Sequence, residues 1–203
     1  LWTIDDGKDT GLTPPSSKGL IPLTTPLMAS GYTPDAMDFL AGKMQDFHMV
    51  PFASASASQD DVPQPLEPGS AVSATMVTGD LKLGAVGTVT YVDGDRMVAF
   101  GHPFMHRGNV NYFMTDAKVV GTISGQSNGM KIANIGSIIG RISQDRATGI
   151  AGTIGTFPAV VPLRVKVRDA SLARVDDYGA RIAYDEDFLA QLSGGIAYAA
   201  MSK

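Results

Sequence analysis

The sequence contains no cysteine, and this absence excludes several kinds of chemistry. Disulfide bonds, thiolate nucleophiles and thiolate metal ligands all require the sulfur atom that the chain lacks. Histidine is scarce as well: the 203 residues include three, namely His48, His102 and His106. The last two are four residues apart, but Pro103 lies between them, so they do not share a helix face as zinc-binding histidine pairs do. We therefore predict no metal site and no cofactor.

Charged side chains are also sparse, at 18% of the chain, whereas a globular domain usually has about a quarter. The formal net charge is −4, and the lysines and arginines are scattered along the sequence. A surface that binds nucleic acid needs a basic patch, so nucleic acid is not a predicted partner. The apolar runs are far shorter than the ~20 residues of a membrane-spanning helix, so no membrane span is predicted in this chain.

Glycine and proline are abundant, with 23 and 12 residues. Both residues interrupt regular structure and favour turns. Hydrophobic residues make up 44% of the chain, which is enough to form the core of a domain. This composition predicts a mainly β fold of many short strands joined by turns.

The first 52 residues predict an extended segment followed by a helix. Prolines interrupt the apolar residues before Ser30, which favours extended or edge structure and disfavours a central strand. Thr33 is a good N-cap and Pro34 suits the first helical position, so a helix begins there. Its apolar residues recur at helical spacing and predict a core-facing side: Met37, Leu40, Met44 and Phe47.

Residues 53–69 are small, polar and rich in proline. Such a composition cannot bury enough apolar area to order itself, so we predict a flexible linker. The domain organisation is then an extended and helical segment over 1–52, the linker over 53–69, and a β domain over 70–203.

Alternating apolar residues and turn signals define the β domain. The predicted strands are 71–78, 81–85, 86–92, 97–100, 119–124, 136–143, 148–154, 160–167 and 181–184. Short strands at regular spacing are typical of a barrel or a sandwich. A closing helix over 185–200 would place Phe188, Leu189, Leu192 and Ile196 on its inner side, although Gly194 and Gly195 weaken the helical pattern.

His102 follows a predicted hairpin that turns at Asp93-Gly94. Gly101 precedes the histidine and Pro103 follows it, so the imidazole is placed at a strand end by a backbone of restricted freedom. A histidine held in this way is a candidate general base. The alternative interpretation is a half-buried loop histidine that hydrogen bonds to a carbonyl.

Ser127 is a candidate nucleophile because residues 125–129 fit the Gly-x-Ser-x-Gly pattern. That motif has meaning only between a strand and a helix. Here Asn128-Gly129 is typical of a turn and the following residues have a β pattern, so the required context is missing.

Several segments together resemble the core of the SpoIVB-type serine peptidases, the family of stage IV sporulation protein B and its longer bacterial relatives. The segments are Gly87-Thr88-Val89-Thr90-Tyr91-Val92-Asp93, Ala99-Phe100-Gly101-His102-Pro103, 136–140, Asp145-Arg146 and Gly149-Ile150-Ala151-Gly152. The resemblance spans about 65–167, and residues 21–31 are similar to the segment that precedes this core in the longer relatives. The combination of a Gly-Thr-x-Thr strand with Gly-His-Pro is the most specific part.

The resemblance implies a bacterial serine endopeptidase that acts on proteins or peptides outside the cytoplasm, with a chymotrypsin-like or related β-barrel. His102 matches the general-base histidine of the family. The family nucleophile lies in Gly-Met-Ser-Gly-Ser-Pro, which this chain lacks. The chain also begins with Leu1 rather than methionine. We therefore expect an excised or processed carboxy-terminal piece, whose nucleophile lies in an upstream part of the same polypeptide.

The other family positions do not match cleanly. Residues 193–196, with Met201-Ser202 at the end, are similar to the approach to the nucleophile motif but contain one extra residue. The nearest candidates for the acid of the triad are Asp95, Asp116 and Asp145, but we expect each of them to be a turn or surface residue instead. Asp185 and Asp187 are shifted from the family spacing.

Two functions therefore remain open. The first is the carboxy-terminal portion of a serine endopeptidase that supplies the general base. The second is a catalytically inactive β-domain of the same origin, which serves binding or assembly in the bacterial envelope.

Overall fold

The computed structural model of the protein describes residues 2–4, 20–22, 25–55, 65–123 and 129–203, with 2–4 and 20–22 described by their backbone alone. The protein is mainly β, with one α-helix in the amino-terminal part and one near the carboxyl end, as the sequence predicted. A small sheet pairs β1 (Trp2–Ile4) with β2 (Leu20–Pro22) in antiparallel orientation. All other strands of the described residues belong to one sheet of ten strands.

The strands of the large sheet are β3 (Thr25–Ser30), β4 (Met49–Ala53), β5 (Ala71–Gly79), β6 (Lys82–Asp93), β7 (Arg96–Ala99), β8 (Gly108–Ile123), β9 (Met130–Arg146), β10 (Gly149–Ile154), β11 (Val160–Asp169) and β12 (Arg174–Ala183). Their order is β11-β12-β5-β8-β9-β10-β7-β6-β3-β4. An additional pairing of β5 with β6 closes six of them, β5-β8-β9-β10-β7-β6, into an antiparallel ring. Because each strand of the ring has two neighbours, most of its backbone polar groups are paired within the sheet.

The strands are longer than the sequence predicted. β8 and β9 contain 16 and 17 residues, and β6 is one strand of 12 residues where we had predicted two shorter ones. Register shifts at four places between β8 and β9 allow the pair to bend while it continues.

The hairpin before His102 is confirmed. β6 pairs with β7 from Val89↔Ala99 to Asp93↔Arg96, so Gly94 and Asp95 form the two-residue loop, one residue later than expected. Gly94 has a φ of 59°, the left-handed conformation that such a loop requires.

β3 lies between β4 and β6, so the expectation that this segment avoids a central position is wrong. Its pairing with β6 uses Met28, Ala29 and Ser30 only. Pro26 lies outside that pairing and lies beside β4, to which β3 runs parallel. The missing amide of Pro26 therefore removes no bond to β6.

The amino-terminal helix α1 (Pro34–Met44) begins where the sequence predicted. The Thr33 side chain accepts a hydrogen bond of 3.3 Å from the Ala36 amide, and Pro34 occupies the first turn. A short 3₁₀ turn (Gln45–Phe47) then leads into β4. Leu40 and Met44 are fully buried, as the predicted apolar face requires.

The carboxy-terminal helix α2 (Leu189–Met201) packs against α1. The rings of Phe39 and Tyr198 stack with centroids 5.0 Å apart, and Phe47 contacts Phe188 at 4.6 Å. One hydrophobic cluster joins residues of both helices with residues of the ring. The amino-terminal segment therefore shares its core with the β domain.

Both flanks of the predicted linker are hydrogen bonded to the sheet. The Ser54 amide donates to the Ala29 carbonyl at 2.8 Å, and the Gly69 amide donates to the Val89 carbonyl at 2.9 Å. Residues 56–64 lie outside the described part of the chain.

Candidate functional site

His102 lies in the loop of residues 100–107, which connects β7 to β8 and which we call the His102 loop. Phe100 and Gly101 both have positive φ, at 76° and 73°, so the chain turns sharply as it leaves β7. Positive φ is strained for phenylalanine. The Phe100 amide donates to the Thr88 carbonyl at 2.9 Å, which fixes this turn against β6.

The orientation of the His102 ring is set by its Nδ1 atom, which lies 2.8 Å from the Pro103 carbonyl oxygen. A carbonyl can only accept, so Nδ1 carries the proton and donates it. In the neutral ring Nε2 is then the acceptor, which is the tautomer that a general base requires. The ring is half-buried, and its centroid is 5.6 Å from that of Phe100.

Asp145 holds the second half of the His102 loop. Its carboxylate accepts hydrogen bonds from the amides of Phe104 at 2.8 Å, Met105 at 2.7 Å and Arg107 at 3.3 Å. Asp145 is fully buried. Because the carboxylate supplies acceptors to three loop amides, it determines the path of the backbone just after His102.

Three aromatic side chains of the His102 loop and β8 pack in a row against the hydrophobic core. Phe100 contacts Phe104 at a centroid distance of 6.4 Å, and Phe104 contacts Tyr112 at 5.7 Å, both edge to face. Gly87 on β6 makes room for this row, because a Cβ there would overlap the Phe100 ring. This steric contact explains why the Gly-Thr-x-Thr pattern begins with a glycine.

Arg107 connects the His102 loop to the start of α2. Its guanidinium forms ion pairs with Asp185, at 3.0 Å, and with Asp187. It also lies over the ring of the buried Phe188, 4.7 Å from the centroid. The sequence offered no local signal for this cluster, since Arg107 and Asp185 are 78 residues apart.

The structure separates the three predicted acids. Asp95 is exposed in the β6–β7 loop, and His102 follows the other end of the four-residue β7, about 13 Å away along the strand. Asp116 is half-buried on β8, where it accepts a hydrogen bond from the Ser137 amide. Asp145 alone contacts the His102 loop, and the expectation of a turn or surface residue is wrong for it. Within the described residues, no hydrogen bond joins Asp145 to the His102 ring.

The two candidate serines are not beside His102 in the described part of the chain. Ser127 lies outside the described residues. Ser202 follows α2, where its hydroxyl is 2.6 Å from that of Thr33. α2 contains 13 residues and is therefore about 20 Å long, and the Arg107 cluster lies at its other end. Ser202 thus lies a helix length away from the His102 loop.

Neither a metal cluster nor a membrane-spanning helix is found among the described residues. No group of three or more potential ligands (His, Cys, Asp or Glu) is placed to hold a metal ion there. No helix in the same part is long and apolar enough to cross a membrane. Comparison with known proteins found no matching family model, no matching curated protein and no matching solved structure.

Proposed function

We propose that this chain is the carboxy-terminal portion of a SpoIVB-like serine endopeptidase and that His102 is its general base. The observation that supports this best is the hydrogen bond from Nδ1 to the Pro103 carbonyl, which leaves Nε2 as a proton acceptor. Burial of Asp145 and its three bonds to loop amides keep that ring on a fixed backbone.

The proposed reaction is hydrolysis of a peptide bond. Nε2 takes the proton from a serine hydroxyl while the oxygen attacks the carbonyl carbon. The imidazolium then gives this proton to the leaving amine as the C–N bond breaks, and water releases the acyl group in a second, similar cycle. The serine comes from an upstream part of the same polypeptide, and the substrate is a protein or peptide outside the cytoplasm of a bacterium.

A second candidate is a catalytically inactive β-domain that serves binding or assembly in the envelope. It is favoured by the partner of Nδ1, which is a carbonyl rather than a carboxylate. Asp145, the one predicted acid that contacts the loop, is already bonded to three amides. A neutral carbonyl stabilises an imidazolium less than a carboxylate does.

Labelling with a fluorophosphonate probe separates the two candidates. The full-length parent polypeptide should label at a serine outside these 203 residues, and the isolated chain should not label. His102→Gln in the parent should slow labelling by about 10²-fold or more, the usual contribution of a general base. His106→Asn, an exposed position in the same loop, is the matched control and should leave the rate unchanged.

One result would contradict the peptidase, and two others would contradict the roles proposed for His102 and for the upstream serine. An unlabelled parent would favour the inactive β-domain, and equal rates for the two histidine variants would remove His102 as the base. Labelling of the isolated chain that is lost in Ser127→Ala or Ser202→Ala would place the nucleophile inside this chain.

A further inference from the structure

A depression of about 460 Å³ lies on the side of the ring where β5 ends and β6 begins. Its lining includes Thr78, Lys82, Gly136, Ser137, Phe157 and Arg181. Val89 on β6 pairs with Ala99, the last residue of β7 before the His102 loop. Lys82 is seven residues from Val89, and seven residues of a β-strand span roughly 23 Å. The depression is therefore separate from the His102 loop.

Lys82 is fixed at the depression by two hydrogen bonds. Its Nζ donates to the carbonyl oxygens of Ile135 and Gly136, both at 2.9 Å. An ammonium group has three N–H donors, so one remains for another acceptor. Burial lowers the pKa of Lys82, and the neighbouring charge of Asp116 opposes this shift. The lysine is thus a preoriented cation, partly removed from water.

The Asp116 carboxylate packs against the backbone of Gly136. A Cβ on Gly136 would overlap the Asp116 carboxylate, which also accepts the Ser137 amide. Asp116 is not part of the lining. Its negative charge acts on Lys82 and partly opposes the effect of burial on the pKa of that side chain.

The remaining lining side chains provide both polar and apolar contacts. Arg181 is exposed on β12, with no ion pair among the described residues. Thr78 is 3% exposed, and its buried hydroxyl has no hydrogen-bond partner in the same part of the chain. Phe157 is 65% exposed, so its ring is available as an apolar contact in this lining.

We propose that this depression binds a peptide carboxylate that is attached to an apolar residue. Arg181 receives the carboxylate through its paired N–H groups, and the free Lys82 donor completes the contact. Phe157 covers the neighbouring apolar side chain. The exposed Phe157 ring in the same lining favours a carboxylate attached to an apolar residue over inorganic phosphate, which has no apolar part. The two sources of this chemistry are the carboxyl end of a peptide and an acidic side chain within one.

Titration by NMR with three capped dipeptides tests the proposal without any need for catalysis. N-acetyl-Gly-Phe has a terminal carboxylate, N-acetyl-Gly-Phe-amide has none, and N-acetyl-Asp-Phe-amide has a side-chain carboxylate. We expect one of the two carboxylate peptides to bind at least tenfold more tightly than the uncharged amide and to raise the pKa of Lys82. The tighter of the two identifies the source.

Arg181→Gln should weaken that binding about tenfold. Arg168→Gln is the matched control, because it removes the same charge from an exposed position on β11. Arg168 lies six residues beyond Pro162, which pairs with Arg181. This variant should change the affinity less than twofold. Equal binding of the uncharged amide, equal effects of the two arginine variants, or equally tight binding of inorganic phosphate would each overturn the proposal.

Discussion

The ring of Phe100 occupies the space that a side chain on Gly87 would need. Gly87 lies on β6, and Phe100 is the first residue of the His102 loop, with its ring 5.6 Å from that of His102. The contact therefore transmits any change at position 87 to the proposed base.

Gly87→Ala should destabilise the protein by about 1–3 kcal/mol, because the new methyl group forces the Phe100 ring to move in a packed site. Urea unfolding measures this effect. Gly121→Ala is the control, since nothing lies within 4 Å of a Cβ at that position. Phe100→Leu should recover part of the loss when combined with Gly87→Ala. A double variant with simply additive losses would show that the two positions do not interact.

Asp145→Asn should cost about 3 kcal/mol and should loosen the His102 loop. Asparagine keeps the shape, but its NH₂ group faces loop amides that need an acceptor, and hydrogen bonds to a charged group contribute about 1.5–3 kcal/mol. Hydrogen exchange should become faster at the amides of Phe104, Met105 and Arg107, which donate hydrogen bonds to the Asp145 carboxylate in the parent protein. Asp95→Asn, in an exposed turn, should change stability by less than about 0.5 kcal/mol. Unchanged exchange at those three amides would contradict the anchoring role.

Tyr32 should make the protein less stable in alkali. Burial of its hydroxyl raises the pKa of Tyr32 above the ordinary value of 10, and the hydroxyl has no partner among the described residues. Above pH 10 the unfolded chain loses this proton while the folded chain keeps it, so stability falls as the pH rises, by at most about 1.4 kcal/mol per unit.

Tyr32→Phe removes this contribution. The free energy of unfolding of the variant should exceed that of the parent by an amount that grows between pH 9 and pH 11, as urea unfolding at each pH would show. Tyr91→Phe removes a hydroxyl from a residue that is 61% exposed and should change stability by less than about 0.5 kcal/mol at pH 7. A constant difference between Tyr32→Phe and the parent would contradict the prediction.

Limited proteolysis should cut first between Ala53 and Pro68, where the composition is small, polar and rich in proline. The two fragments should remain together on size exclusion, because β3 pairs with β6 and α1 packs against α2. Denaturant should then separate them. Protection of 53–68 with cleavage inside 86–104 would refute the predicted boundary.

Local chemistry accounts for what the sequence predicted well. The start of α1 is determined by the four residues from Thr33 to Ala36, since Thr33 is the N-cap and Pro34 lies in the first turn. The alternating apolar residues on both sides of Gly94 define the β6–β7 hairpin. Both signals depend on neighbours in the chain. The inner face of α2 was found for the same reason, since Phe188, Leu192 and Ile196 recur at helical spacing and are buried.

The contacts that shape the candidate site are between distant residues, and this is why the sequence did not predict them. Asp145 is 41 residues from Phe104, and no local pattern distinguishes an aspartate that binds loop amides from one in an exposed turn. The place of β3 between two strands was missed similarly, because proline is disfavoured in a central strand unless its amide faces no partner.

The hydrogen bond between Thr33 and Ser202 joins residues that are 169 positions apart. Because a ribosome makes the chain from its amino end, α1 is complete long before α2, and until then the part of α1 that packs against α2 is uncovered. β5 is likewise made before β12, its neighbour in the sheet, which follows more than 90 residues later in the chain. Folding therefore finishes only after α2 has left the ribosome, and until then the nascent chain exposes the kind of surface that chaperones bind.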